Sequence, residues 1–283
     1  MFKFETKKDV WKFIRAILEA ALLIVVLFFA TRTLTTSKEY TPYDPADPNV
    51  VSGADQGFLA ISYFGVDRRS TDTLVSVRQL DAQLGALHSL GYVTVSQEDV
   101  ENYYSRGTAL PDKALFLLFE DGRRDTALFA EKILEKYNYK ATILSYADKF
   151  GEGDPKFLSP KDLNKLLKTG YWELGTNGYR LSYINTFDRY DRFLGQLTSD
   201  EFVRIHSYLG RDYNHYLMDY IRDEDRLPTE STREMESRIT QDYRGMEEIY
   251  TQELGQVPGL YCLMHANSGA FGNTKSVSEA NGK

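Results

Sequence analysis

"ALFLLFEDGRRDTALFAEKILEKYNYKATILSY", residues 114–146, combines a strand, a helix and a second strand within one short stretch. The opening run "ALFLLF" is apolar throughout, and residues 124–137 repeat apolar side chains at helical spacing. A second apolar run closes the stretch. The order predicts a strand–helix–strand unit of the kind that joins parallel strands. Two adjacent carboxylates, Glu120 and Asp121, follow the first strand directly.

The same alternation continues on both sides of this unit. Further strands are predicted at 58–64, 92–95, 171–175 and 259–266, and further helices at 76–91, 159–170 and 237–255, with a short helix after Ser96. Regular alternation favours an α/β fold with a parallel sheet, either open or closed into a barrel. In both arrangements ligands bind at the carboxyl ends of the strands, which is where Glu120 and Asp121 are predicted to lie.

Residues 185–237 interrupt this rhythm. The segment is charged and rich in tyrosine, and we expect a mostly helical insertion. Two roles remain open for it: a solvated cap, or a lid whose tyrosines stack on sugar rings.

The N-terminus predicts a membrane segment. Residues 1–15 carry five basic and two acidic side chains and are expected to form a cytoplasmic tail. The apolar stretch 16–34 is expected to be a transmembrane signal-anchor; a cleaved signal peptide and a buried core helix are the alternatives. Residues 35–57 contain three prolines and are predicted to be a linker. The domain at 58–283 would then lie outside the cytoplasm, at the cell membrane, on a single-pass protein.

Composition narrows the function classes. The 283 residues carry a net charge of −7 without a basic stripe, which argues against a nucleic-acid partner. The single cysteine, Cys262, excludes an internal disulfide and a cysteine-based zinc site.

Taken together, these segments resemble the polysaccharide deacetylases, carbohydrate esterase family four. "LAISYFGV" is similar to the family's opening strand, "LFEDG" to its Thr-Phe-Asp-Asp-Gly motif, and "ELGTNGYRL" to its Glu-hydrophobic-Gly-Ser-His-Thr-x-x-His motif. The resemblance covers residues 58–184 and resumes near 238. It implies an irregular (β/α) barrel that needs one or two later strands. The chain would therefore be a fragment, an incomplete barrel, or a barrel that a partner protein completes.

The resemblance also implies a chemistry, from which this sequence departs. In the family one Asp and two His hold a divalent metal, and a second Asp accepts a proton from water. Asp121 corresponds to the metal-ligand Asp, and Glu120 takes the place of the base. Asn177 and Leu181 stand where the two histidines would be. Amide and apolar side chains are poor zinc ligands, so we predict an impaired metal site. Zinc would be a cofactor only if the site has been rebuilt.

The candidate site residues follow from this comparison. Glu120, Asp121 and His265 are the candidate catalytic residues, and Asp121 is also the candidate metal ligand. His265 follows the last predicted strand and would lie at the mouth of the barrel. The candidate substrate-binding residues are Asn177, Tyr179 and Arg180. Alternatively, Glu120 and Asp121 only stabilise the N-terminus of the following helix.

The predicted function is that of a membrane-anchored, extracytoplasmic protein that acts on or binds cell-surface polysaccharide or peptidoglycan, with an impaired metal site. One alternative is an active carbohydrate deacetylase or esterase with a rebuilt site. Another is a metal-independent, glycosidase-like enzyme that uses Glu120 with Asp121 or Asp125.

Overall fold

The computed structural model describes residues 7–35, 39–53, 56–71, 73–151, 153–263 and 270–283. The chain divides into two compact units, Met1–Glu39 and Tyr40–Lys283.

The first unit contains one long helix, α1 (Lys7–Thr35). Its apolar side chains are exposed, among them Trp11, Leu18 and Leu23. Among the residues described, no helix combines the length and the apolar character that crossing a bilayer requires. The predicted transmembrane segment 16–34 falls within α1 and is not confirmed.

The second unit is built around a parallel sheet with helices packed against it. Its strands are β1 (Phe58–Tyr63), β2 (Val66–Asp67), β3 (Val75–Ser76), β4 (Val93–Thr94), β5 (Ala114–Phe119), β6 (Ala141–Tyr146), β7 (Trp172–Gly178), β8 (Ser182–Phe187), β9 (Phe193–Thr198), β10 (Asn214–His215) and β11 (Leu260–Tyr261). The helices are α2 (Val77–Ser89), α3 (Gln97–Arg106), α4 (Arg124–Tyr137), α5 (Pro160–Leu167), α6 (Ser199–Ile205), α7 (Thr232–Leu254) and α8 (Lys275–Asn281). Two 3-10 turns lie at Ala147–Phe150 and His206–Tyr208.

The main sheet runs in the order β1-β5-β6-β7-β11, and β4 also pairs with β5. All of these pairings are parallel, as the alternation predicts. From β5 to β11, the strands of this sheet lie side by side in the order in which they occur in the chain, as strands do in a (β/α) barrel. Within the described residues β1 and β11 are not paired with each other, so the sheet is an open, partial barrel.

Local sequence explains the helices that cover this sheet. Ser76, Ser96 and Ser159 each begin a helix with a reciprocal capping box, which satisfies backbone donors at the helix start. Every residue of β5 except Leu118 is buried, and the covering helices contribute Leu80 and Leu134 to the same core. The predicted order of strands and helices is therefore confirmed up to β7.

The expectation of a mostly helical insertion at 185–237 is wrong. The segment contributes to a three-stranded antiparallel sheet in the order β10-β8-β9, and α6 is its only complete helix before α7 in the described chain. Aromatic and β-branched residues in "SYINTF" favour a strand. A tight turn then reverses the chain, with the backbone amide of Asp188 donating to the carbonyl of Arg192 over 2.9 Å.

The predicted linker at 35–57 also needs correction, because its described part from Tyr40 onward packs on the second unit. The Tyr40 and Tyr171 rings meet edge to face with centroids 5.7 Å apart. The backbone amide of Thr41 donates to Asn138 Oδ1 over 3.0 Å. Aromatic residues within a proline-containing segment bury apolar area, which outweighs the preference of prolines and polar residues for an open linker.

Candidate functional site

The parallel strands bring several polar side chains to one edge of the sheet, because their carboxyl ends lie side by side. Glu120 comes directly after β5, and its backbone amide donates to the carbonyl of Tyr63 at the end of β1 over 2.9 Å. Ser62 of β1 donates its hydroxyl to Glu120 Oε1 over 2.5 Å. The neighbouring strand therefore fixes the Glu120 carboxylate at the edge.

Asp121 lies in a turn that needs a special backbone conformation. Its φ is +65°, in the left-handed region, and that of the following Gly122 is +58°. A Cβ atom on Gly122 would lie 2.7 Å from the Cβ of Ser145, so glycine is required for the close approach to β6. The turn separates β5 from α4 and leaves the Asp121 side chain at the strand edge.

The Asp121 carboxyl is largely buried, and its charge is poorly compensated. Its Oδ1 atom is shielded from solvent and has no hydrogen-bond partner in the described part of the chain. Burial, followed by the charge of Glu120, raises the pKa of Asp121 to about 6, although Arg123, Lys156 and Lys149 act in the opposite direction. A carboxyl with this pKa exchanges its proton near neutral pH, as a general base or acid must.

Asn177 binds the ends of three strands together. It lies in β7 and is buried. Its Oδ1 accepts from the backbone amide of Asp121 over 3.2 Å, and its Nδ2 donates to the carbonyl of Cys262 over 3.3 Å. One of the two lone pairs of the amide oxygen that could contact a metal or a sugar therefore already accepts a backbone hydrogen bond.

The two other predicted substrate-binding residues also have partners within the fold. Arg180 Nε lies 3.4 Å from Asp242 Oδ2, and its guanidinium lies 4.7 Å from the centre of the Tyr216 ring. Tyr179 packs against the main core, and its carbonyl accepts from the amide of Asp148 over 2.8 Å. Their predicted roles with substrate remain predictions.

The described residues do not fit a divalent metal. Among them, no three His, Cys, Asp or Glu side chains converge as metal ligands. Asn177 is engaged, Leu181 offers no ligand atom, and Lys149 and Lys156 place positive charge near Asp121. His265 lies outside the described residues, so its predicted role is untested and the impaired metal site stays a prediction.

Among the described residues, neither carboxylate makes a side-chain hydrogen bond to the start of α4. The N-cap of α4 is Arg123, and no side chain makes a cap hydrogen bond there. Glu120 bonds to Ser62 instead. The favourable effect of the two negative charges on the N-terminus of α4 stays a prediction.

Sequence reasoning missed Tyr146, the last residue of β6. It is 2% exposed, and its hydroxyl has no hydrogen-bond partner in the described chain. Burial raises the pKa of Tyr146 strongly, and the charges of Asp121 and Glu120 raise it further. Its position at the end of a predicted parallel strand is the signal that could have identified it.

Cys262 is a second residue that the sequence analysis did not assign to the site. Burial raises the pKa of its thiol, and the charge of Glu120 raises it further. The edge therefore combines two carboxylates with the hydrogen bonds that Asn177 makes to the backbone of Asp121 and Cys262.

Solved structures with the same fold were found. The chain is similar to a de-N-acetylase from Aggregatibacter actinomycetemcomitans, with 15% identity over 80% of this chain and 84% of that one and a TM-score of 0.59. It is similar to the BpsB deacetylase domain from Bordetella bronchiseptica, with 13% identity over 85% and 87% of the two chains and a TM-score of 0.55. For IcaB from Ammonifex degensii, the values are 16% identity, 79% and 78% coverage, and a TM-score of 0.53.

No family model matches the chain, and neither does any curated protein. At these identities the structural likeness establishes the fold. The predicted resemblance to polysaccharide deacetylases is confirmed at that level.

Proposed function

We propose that this protein binds or processes cell-surface carbohydrate at the carboxyl edge of its sheet, and that its metal site is impaired. The supporting observation is the position of Asn177: its side chain, a poor metal ligand, is tied by hydrogen bonds to the backbone of Asp121 and Cys262. The fold is shared with deacetylases, while Asn177 and Leu181 stand at the positions of the two histidines. Glu120 and Asp121 would contact the sugar.

A second candidate is an active deacetylase or esterase. It is supported by the shielded Oδ1 of Asp121, which has no hydrogen-bond partner among the described residues, and by the pKa of about 6 that burial gives this carboxyl. In this alternative Asp121 would take a proton from water.

Binding and acetate release, measured on the same samples, separate the candidates. N-acetylated oligosaccharides and peptidoglycan fragments would be titrated into the full chain, and free acetate would be assayed with and without added zinc. Saturable binding without acetate release supports the impaired site. Acetate release that Asp121→Asn abolishes supports the active enzyme. A folded protein that neither binds nor deacetylates these ligands overturns both.

We also propose that the protein is held at the cell membrane with its second unit outside the cytoplasm. The basic residues before the apolar run and the exposed apolar side chains of α1, such as Trp11 and Leu18, support this location. Alkaline phosphatase fused after Lys283 would be active if the C-terminus is extracytoplasmic. Fluorescence from a reporter that is active only in the cytoplasm, fused at the same position, would contradict this location.

A further inference from the structure

A separate pocket lies within the insertion, and neither Glu120 nor Asp121 belongs to its lining. It is a cavity of about 410 Å³ between the end of β8 and the two segments that precede and follow β10. Its lining includes Phe187, Arg211, Asp212, Tyr213, Arg222 and Arg226. Three guanidiniums around one pocket are notable in a chain whose net charge is −7.

Two of these guanidiniums are held in fixed positions. Arg222 donates through Nη2 to Asp219 Oδ1 and through Nη1 to the carbonyl of Arg226, each over 3.0 Å. Arg226 donates through Nη2 to Asp191 Oδ1 over 2.7 Å, and its guanidinium lies 4.1 Å from the centre of the Phe187 ring. A guanidinium carries five donors, so these contacts leave N–H groups of both side chains for a ligand.

Arg211 differs from the other two. It is exposed, and within the described residues it makes no ion pair or hydrogen bond. Its charge and its planar donor fork are therefore available at the pocket. Asp212 lies next to it and offers an acceptor for hydroxyl groups, while Phe187 and Tyr213 supply aromatic surface.

The backbone around the pocket is held in an uncommon conformation. Five non-glycine residues in the described chain have positive φ, and three of them, Asn185, Asp191 and Arg226, line the pocket or pair with its lining. Asn185 is fixed by accepting from the amide of Arg222 over 2.8 Å. Such conformations persist where surrounding contacts enforce them, and they concentrate at ligand sites.

The pocket is close to the carboxyl edge. Tyr213 packs edge-on against Tyr183 with ring centroids 5.5 Å apart. Burial raises the pKa of Tyr183, and the charge of Asp121 adds to this effect, so Tyr183 lies near that carboxylate.

We infer that this pocket binds the anionic group, a carboxylate or a phosphate, of a sugar-containing ligand. Arginine forks match both anions bidentately, which is the geometry that Arg211, Arg222 and Arg226 can offer together. The aromatic side chains and Asp212 suit the ring and hydroxyl groups of a sugar. The sugar part of this inference rests on the proposed function, whereas the anion part rests on the arginines and does not depend on catalysis at Asp121.

The test uses the full chain with three probes: inorganic phosphate, glucuronate and, as the uncharged control, glucose. Binding would be followed through the arginine Nε–H signals in ¹⁵N–¹H spectra. Glucuronate or phosphate is expected to bind saturably and glucose at least tenfold more weakly. The anion that binds more tightly shows whether the charged group of the ligand is a carboxylate or a phosphate.

Substitutions of Arg211 and a control at Arg189 test whether the anion binds at this pocket. Arg211→Gln is expected to weaken anion binding about tenfold or more, since a hydrogen-bonded charge is lost. Arg211→Lys should retain part of the affinity, because the charge stays and the fork is lost. Arg189→Gln is the control: this exposed arginine of the same insertion stacks on Tyr190 and lies outside the lining. Equal weakening by Arg189→Gln, equal binding of glucose, or no saturable binding of either anion would overturn the inference.

Discussion

Replacing Asp121 by Asn should stabilise the protein at neutral pH. Burial and the Glu120 charge raise the pKa of Asp121 from 3.8 to about 6, so the folded state binds the proton more tightly than the unfolded state. Ionisation therefore costs folding free energy, and this cost is complete only above the folded pKa. Asn removes the charge, keeps the shape and tolerates the left-handed φ of +65°.

The magnitude follows from the displacement of the pKa. At about 1.4 kcal/mol per pH unit, a change from 3.8 to about 6 corresponds to at most about 3 kcal/mol. Asp121 keeps some contact with solvent, so we expect Asp121→Asn to gain about 1–2 kcal/mol at pH 7.5. The gain should shrink as the pH falls through 6 and be nearly absent at pH 4, where the wild-type carboxyl is largely protonated when folded.

Urea unfolding of both proteins between pH 4 and pH 8 measures this difference. Asp112→Asn is the control with the opposite sign, because hydrogen bonds from the Ser52 hydroxyl and backbone amide lower the pKa of Asp112. That variant should be less stable than wild type at neutral pH, and most of the difference should persist at pH 4, because it is lost only as the pH falls below 3.8, where the folded carboxyl becomes protonated. A gain from Asp121→Asn that does not change with pH, or a loss at pH 7.5, would refute the reasoning.

Three further substitutions test the packing around the site, each by urea unfolding. Gly122→Ala should cost about 2 kcal/mol or more, because a Cβ at φ +58° would lie 2.7 Å from the Cβ of Ser145. Asn177→Ala should cost about 2 kcal/mol, because two backbone groups at the strand ends lose their buried partner. Arg238→Gln should cost about 3 kcal/mol, because it leaves Glu230 buried without the guanidinium whose Nη2 lies 2.6 Å from its Oε1.

Controls accompany two of these substitutions. Gly255 has φ +70°, but an added Cβ there would meet no atom within 4 Å among the described residues, so Gly255→Ala should cost less than Gly122→Ala. Arg124 pairs with Asp162 at the surface, with 47% and 36% of the two side chains exposed, so Arg124→Gln should have little effect. If a substitution and its control lower the free energy of unfolding equally, burial is not the cause of the loss.

The sequence predicted the sheet because its signals there are local. The capping box at Ser76 and Gln79 and the apolar run of β5 each depend on a few adjacent residues, and both are present in the structure. The insertion was mispredicted because charged residues suggested helix, while its strands are stabilised by partners distant in sequence. The pairing of Asn214 with Ile184 joins positions 30 residues apart.

The candidate site was predicted in part. Glu120 and Asp121 could be placed because each follows an identifiable strand end. The role of Asn177 could not, because its partners, the amide of Asp121 and the carbonyl of Cys262, lie 56 and 85 residues away. Tyr146 was overlooked because a tyrosine in an apolar run is typical of a core; its hydroxyl became notable only through burial without a partner in the described chain.

The most direct test of the impaired metal site is a calorimetric titration of zinc into chelator-treated protein, with Asp121→Ala as the comparison. We predict no binding up to hundreds of micromolar zinc by a protein that circular dichroism shows to be folded. One-to-one, submicromolar binding that Asp121→Ala abolishes would contradict the account, since it would mean that Asp121 and other ligands still form a working metal site.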